Sequence, residues 1–130
     1  MKTKKIISPY FEDREFSGVR VTSIDEDFVI APKDYQDGKE MSWRTAMDAL
    51  KAENLTTWNY RQICLTMAYR KEVDKVLVDN GGDSLDNWYW TCAEYSAYYS
   101  FFYGGCNGTL DINRKRNTCS IRPIKNLKNK

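Results

Sequence analysis

Hydrophobic positions along the 130-residue chain change their period twice. From Gly18, the stretches GVRVTSI and DFVIAP place Val19, Val21 and Ile24, then Phe28, Val29 and Ile30, on either side of the acidic turn Asp25-Glu26-Asp27. Two short strands are expected there. Pro32 ends the second, and DYQDGKE reads as a turn or loop centred on Asp37-Gly38. Before Gly18 the chain is polar with scattered aromatics, and a partly ordered arm is expected over residues 1–17.

The period then lengthens. Trp43, Ala46, Met47 and Leu50 fall at i, i+3, i+4 and i+7 behind Ser42, a good N-cap, and the pattern fades near Glu53-Asn54. A second helical segment is expected to open at Thr57 and to carry Tyr60, Ile63, Cys64 and Met67 on its apolar face. It continues through Val73, Val76 and Leu77 to the stop at Asn80-Gly81-Gly82. On that face Cys64 is expected as a small buried hydrophobe. After Leu85 the period shortens again. NWYWT, the aromatic run EYSAYYSFFYGG, TLDIN and CSIRPI read as four short strands joined by Gly- or Asn-rich turns. Strands, two helices, then an all-β half make an α+β domain. The organisation expected is an N-terminal arm with a first strand over residues 1–27, and one globular unit over residues 28–130.

Composition is that of a folded globular chain, 42% apolar and 29% charged. No apolar run approaches the roughly 20 residues of a membrane helix, so no membrane span is expected. The first residues lack the apolar core of an export signal. Cytoplasmic synthesis is therefore expected, with any virion or cell-surface association made through partners. The net charge of +2 hides an asymmetry, because residues 114–130 carry seven Lys or Arg and no acid. Interruption of these cations by Cys119, Ile121 and Ile124 favours a solvated, edge-protecting role over contact with phosphate or an acidic partner.

There is no histidine, which removes Ser-His-Asp and Cys-His catalysis. Phosphate-cradling glycine loops are missing. The four cysteines, Cys64, Cys92, Cys106 and Cys119, contain no close pair of the kind zinc sites use, so free thiols, no metal and no cofactor are expected. Glu94 is the only acid between Trp88 and Tyr103, and reads as a strand-end carboxylate accepting backbone or tyrosine hydrogen bonds, in preference to a binding-site or catalytic acid. No enzymatic activity is expected.

Several motifs occur in an order that resembles a family of bacterial and phage proteins with a C-type lectin-like fold. That group includes the formylglycine-generating enzymes and the variable proteins of diversity-generating retroelements. Ala31, Asp34, Trp43 and Ala46 match its Ala-x-x-Asp and Trp-x-x-Ala helix opening. Leu55 and Thr57 match its Leu-Pro-Thr, with Thr56 in place of proline. NGGDSLDNWYWTCAEYS is similar to its Gly-Gly-x-x-Leu followed by Trp-Tyr-Trp-Thr-Ser-x-Glu-Tyr, and SIRPI to its Val-Arg-Pro-Val. The resemblance covers residues 28–124. It implies a C-type lectin-like domain with two helices on small antiparallel sheets and a β- and loop-rich C-terminal half. The copper-binding cysteine motif of the enzyme branch finds no match, and neither do the calcium-binding motifs of the lectin branch. The remaining branch displays a changeable surface.

That branch randomises template adenines, so AAY codons become NNY, which cannot specify Lys, Glu, Met, Trp or Gln. Residues 1–91 contain 24 of these five types, whereas the 29 residues 92–120 contain only Glu94 and Lys115, against roughly seven or eight at the earlier rate. Strand and turn segments also avoid several of these residues, which explains part of the depletion. The function expected is a non-enzymatic module presenting a Tyr-, Ser- and Asn-rich surface to a protein or cell-surface ligand. The alternative is a virion or complex subunit that uses the aromatic run as a fixed contact. The expected contact residues are Tyr98, Tyr99, Phe101, Tyr103, Asn107, Thr109, Asp111, Asn113, Arg114 and Arg116. Trp88, Trp90, Leu110, Ile112 and Ile121 are expected as scaffold. In TLDIN, Thr109, Asp111 and Asn113 should face outward together. Such a patch predicts a partner or self-association.

Overall fold

The computed structural model describes residues 6–127. Strands β1 (Ile7–Glu12), β2 (Ser17–Thr22) and β3 (Asp27–Ile30) form successive antiparallel hairpins. Strand β9 (Ile124–Asn126) adds to β3, giving the order β1-β2-β3-β9. The expected arm therefore contains a strand of its own, and residues 7–22 join the same sheet as β3 and β9. Its sequence hid this because the β1–β2 register shifts between Ile7 and Tyr10, which breaks the alternation. Gly18 is required where β2 crosses β3. At φ +153°, a Cβ there would lie 1.8 Å from the Ile30 carbonyl oxygen.

Three helices follow a short 3₁₀ turn at Tyr35–Gly38 and the two-residue strand β4 (Met41–Ser42). They are α1 (Trp43–Ala52), α2 (Tyr60–Ala68) and α3 (Arg70–Asp79). The single second helix expected from Thr57 is in fact two, broken at Tyr69. It also starts later, at the N-cap Asn59. There the Asn59 side chain accepts from the Gln62 N–H while the Gln62 side chain accepts from the Asn59 N–H. Thr57 is instead buried, its hydroxyl 3.0 Å from the Arg122 carbonyl.

Cys64 is exposed, contrary to expectation. The inward face of α2 carries Gln62, Ile63 and Thr66, because both polar side chains find hydrogen-bond partners there. Thr66 accepts from the Trp58 indole N–H at 3.1 Å, and the Gln62 amide donates to Asn126 at 2.6 Å. These bonds rotate the helix and carry Cys64 outward.

Strands β5 (Trp88–Glu94), β6 (Tyr99–Gly104) and β7 (Thr109–Arg114) form a three-stranded antiparallel sheet. The pair β4 and β8 (Thr118–Cys119) forms a third small sheet. The whole is an α+β arrangement of three helices and small antiparallel sheets. Successive residues of β5 point to opposite sides, as a pleated strand dictates. Tyr89 enters a core with Val21, Phe28, Trp58, Ile63 and Leu77. Trp90 enters a second core with Trp43, Leu50 and Ile121. One strand thus joins two cores.

Between them lies a buried cation. Arg122 is fully buried, and its guanidinium donates to Asp34 Oδ1 at 2.9 Å and to the carbonyls of Ala31, Asp83 and Ser84. Asp34 also accepts from the Tyr89 hydroxyl at 2.8 Å and from the Asn87 amide at 2.6 Å. A buried charge is tolerated only when paired and hydrogen-bonded in this way.

Candidate functional site

The register of the three-stranded sheet sorts the candidate contact residues onto two faces. Cross-strand partners share a face, so Tyr99 lies with Arg114, Phe101 with Ile112 and Tyr103 with Leu110. This face meets the helical side. Trp58 packs edge-on to Tyr89 and Tyr103, at 5.9 and 6.3 Å, and Tyr60 packs edge-on to Phe101 at 5.1 Å. The opposite face carries Ser100 with Asn113, Phe102 with Asp111 and Gly104 with Thr109. Thr109, Asp111 and Asn113 thus share a face, as the alternation predicts, but it is the face opposite Tyr99, Phe101 and Arg114.

The candidates also divide along the strands. Asn107 belongs to the β6–β7 turn and holds Thr109 through a 2.9 Å hydroxyl bond. Tyr98 and Arg114 lie at the other end of β6, a strand length of roughly 17–20 Å away. Asn113 is half-buried and turned to local bonds with Asn117 and Cys119. Tyr103 is buried, 1% exposed, and offers no surface to a ligand. Trp58 covers its ring, and Arg70 holds its hydroxyl by a hydrogen bond. Trp88, expected as scaffold, is instead 51% exposed. It stands on the outer face above Phe102, with its indole N–H 3.3 Å from Cys106 Sγ.

What the fold does bring together is the pair of turns at one end of the sheet. The β5–β6 turn is tightened by Ser96, whose hydroxyl accepts from the N–H groups of Tyr98 and Tyr99. The β7–β8 turn lies alongside, its Lys115 N–H donating to the Tyr98 carbonyl at 2.9 Å. Between them is an open cleft of about 380 Å³ lined by Ala97, Tyr98, Tyr99, Arg114, Lys115 and Arg116. Four of the ten expected contact residues line it. Other depressions reach about 470 Å³, so the chemistry of the lining distinguishes this one, and its size does not.

Lys115 is the hub of the site and was not among the expected residues. Its ammonium lies 2.6 Å from Glu94 Oε1 and 4.5 Å from the Trp43 ring centre, while its carbonyl accepts from the Trp43 backbone N–H at 2.9 Å. One residue thereby ties both turns to the start of α1. Hydrogen bonding from Lys115, and then its charge, hold the Glu94 carboxyl below the usual glutamate range; Arg44 adds to this. Glu94 is thus a strand-end carboxylate fastened by a hydrogen bond. Its partner is a lysine 21 residues away, not the backbone or tyrosine donor expected.

Arg114 lies over the Tyr99 ring at 5.9 Å. Among the described residues, neither Arg114 nor Arg116 has a carboxylate within salt-bridge distance. Beside the cleft, Tyr95 (61% exposed) and Tyr98 (78% exposed) stand in solvent, and Tyr95 packs edge-on to Phe101. Tyr60 extends this aromatic surface from the first turn of α2. Tyr60, expected on the apolar face of the second helix, is therefore half exposed.

All four cysteines are free thiols. Burial pushes the Cys119 thiol up to about 12 and also raises that of Cys92, so neither is a ready nucleophile. Among the described residues, no three of His, Cys, Asp and Glu gather as metal ligands, and no helix is long and apolar enough to cross a membrane. No protein-family model matches the chain, and no match is found among curated proteins.

Proposed function

We propose that this protein is a non-enzymatic binding module of C-type lectin-like fold, which presents the aromatic and basic turn pair to a protein or cell-surface ligand. Two features agree with that fold: the helices lie between the first sheet and a β-rich C-terminal half, and strand β5 joins both cores. The observation that carries the functional reading is the Glu94–Lys115 ion pair. These are the only two residues of 92–120 that NNY codons cannot encode. They bond to each other and fasten the turns to α1.

The exposed residues around them, Tyr95, Ser96, Tyr98, Arg114 and Arg116, are all of NNY type, and so are Asn107, Thr109 and Asp111 toward the far end of the sheet. A fixed clamp flanked by exchangeable side chains suits display by retroelement diversification. Tyrosine suits such a surface because it offers large, rigid contact area at low entropic cost, with Ser and Asn supplying adaptable hydrogen bonds.

Panning a random peptide library on the immobilised protein tests the reading. Selected peptides are expected to lose binding when Tyr98→Ser and Tyr99→Ser are introduced together. Peptides that bind the wild type and this variant alike would sink it. The diversification element has its own test, a near-identical repeat of the coding segment for residues 92–120 that differs only at adenines, beside a reverse transcriptase gene.

A further inference from the structure

We propose that the cleft between the β5–β6 and β7–β8 turns takes an acidic segment of a protein partner, whose carboxylates are received by Arg114 and Arg116 and whose side chains lie on Tyr98 and Tyr99. This rests on the display reading above and names the chemical class of its ligand.

The charge balance at the cleft is one-sided. Arg114, Lys115 and Arg116 line it, and Arg44 stands near enough to act on Glu94. Glu94 is the carboxylate that answers them, and it is held by Lys115. The two guanidinium groups that line the cleft, Arg114 and Arg116, are therefore left without an acidic partner among the described residues. A guanidinium is a planar fork of donors that fits a carboxylate with two parallel hydrogen bonds. Arg114 is pre-oriented by its position over Tyr99, so less freedom is lost when it binds. Tyr98, the more exposed of the two lining tyrosines, supplies contact area next to the charge.

The same chemistry argues against a polynucleotide. A duplex or single strand is tracked by a stripe of cations, because phosphates recur every few ångströms along it. Among the described residues, no such stripe continues from this cleft along β7 or past Arg116. Along β7 the next exposed side chains are Asp111 and Thr109, and after Arg116 come Asn117 and Thr118. A cleft of about 380 Å³ accommodates a few side chains of a peptide segment.

The test is a titration of the ¹⁵N-labelled full chain with a random copolymer of Glu and Tyr, followed by amide chemical shifts. Saturable shifts are expected at Tyr98, Tyr99, Arg114 and Arg116. Affinity should fall at least tenfold with Arg114→Gln plus Arg116→Gln, and should weaken steeply with added salt. Amide spectra of that variant, unchanged away from the cleft, establish that it is folded. The proposal is overturned if the copolymer shifts none of these amides, if a Lys and Tyr copolymer binds equally well, or if an oligodeoxythymidylate binds more tightly at the same residues. It is also overturned if a Ser and Tyr copolymer binds there as well as the acidic one. In that case the display reading stands and only its acidic ligand falls. Peptide panning that yields no cleft-dependent binder would remove the display reading itself.

Discussion

Arg122 and Arg114 stand eight residues apart and have opposite surroundings. Arg122 is fully buried, and its five donors are taken up by Asp34, three backbone carbonyls and the Tyr89 hydroxyl. Arg114 lies in solvent at the mouth of a cleft, with one tyrosine ring beneath it and no carboxylate beside it among the described residues. The first arrangement uses every donor internally and leaves nothing for a ligand. The second leaves its donors free, and its geometry is supplied by a neighbour, Lys115, that is itself fully engaged. Charge held inside stabilises the frame, whereas charge left outside is available for recognition.

Changes at the buried end should have the largest effect. Arg122→Met leaves Asp34 without its cation and three carbonyls without a donor, so a loss of about 3–5 kcal/mol is expected. This would appear in thermal melts as a drop of roughly 10–20 °C. A drop of a degree or two would mean the Arg122 network is dispensable.

A smaller effect at the same end follows from Tyr89, whose hydroxyl burial pushes up to about 12 from 10.0. Because the folded state favours the neutral form, this contribution is complete below pH 10 and is lost as pH rises toward 12. Alkaline unfolding should steepen across that window, and Tyr89→Phe should flatten the decline. The thiols divide in the same way. Cys64 and Cys106 should react with a disulfide reagent at pH 8 well before Cys92 and Cys119, and equal rates for all four would contradict the burial described.

At the turn pair the sign is reversed. The Glu94 carboxyl is held low, so its contribution is present above about 4.5 and disappears as pH falls through its folded value. Protection of the Lys115 amide, which donates to the Tyr98 carbonyl, should therefore fall relative to the intrinsic exchange rate on acidification, and Glu94→Gln should reproduce the loss of protection at neutral pH. The smallest effect on stability is expected from Arg114→Gln and Arg116→Gln, within about 0.5 kcal/mol of the parent for each. A larger loss would mean that these arginines support the fold.

The helices were legible because their apolar spacing is regular and their faces are wide. The α2 face was displaced by about one residue for a reason outside any helix pattern, since Gln62 and Thr66 find polar partners in Asn126 and Trp58. Strand β1 escaped notice because its bulge erases the alternation that marks a strand. At the site, residue type was enough to single out Tyr98, Tyr99, Arg114 and Arg116. Lys115 was not visible, because its tie to Glu94 crosses 21 residues and depends on the β5-β6-β7 register. Tyr103 shares the parity of Tyr99 and Phe101. Its burial depends on where along β6 the Trp58 ring and Arg70 lie, which alternation does not encode.

The pairing of β3 with β9 has a consequence for the order of events during synthesis. Ile30 cannot meet Ile124 until the whole segment 92–120 has emerged, so the first sheet closes only after the turns have been made. Pairings that span most of a chain form late and slowly. A variant of segment 92–120 that collapsed on itself or paired wrongly would leave β3 with a bare edge, open to aggregation. On the display reading proposed above, folding would then act as a filter, and only those surface sequences that leave β9 free to dock would accumulate as soluble protein.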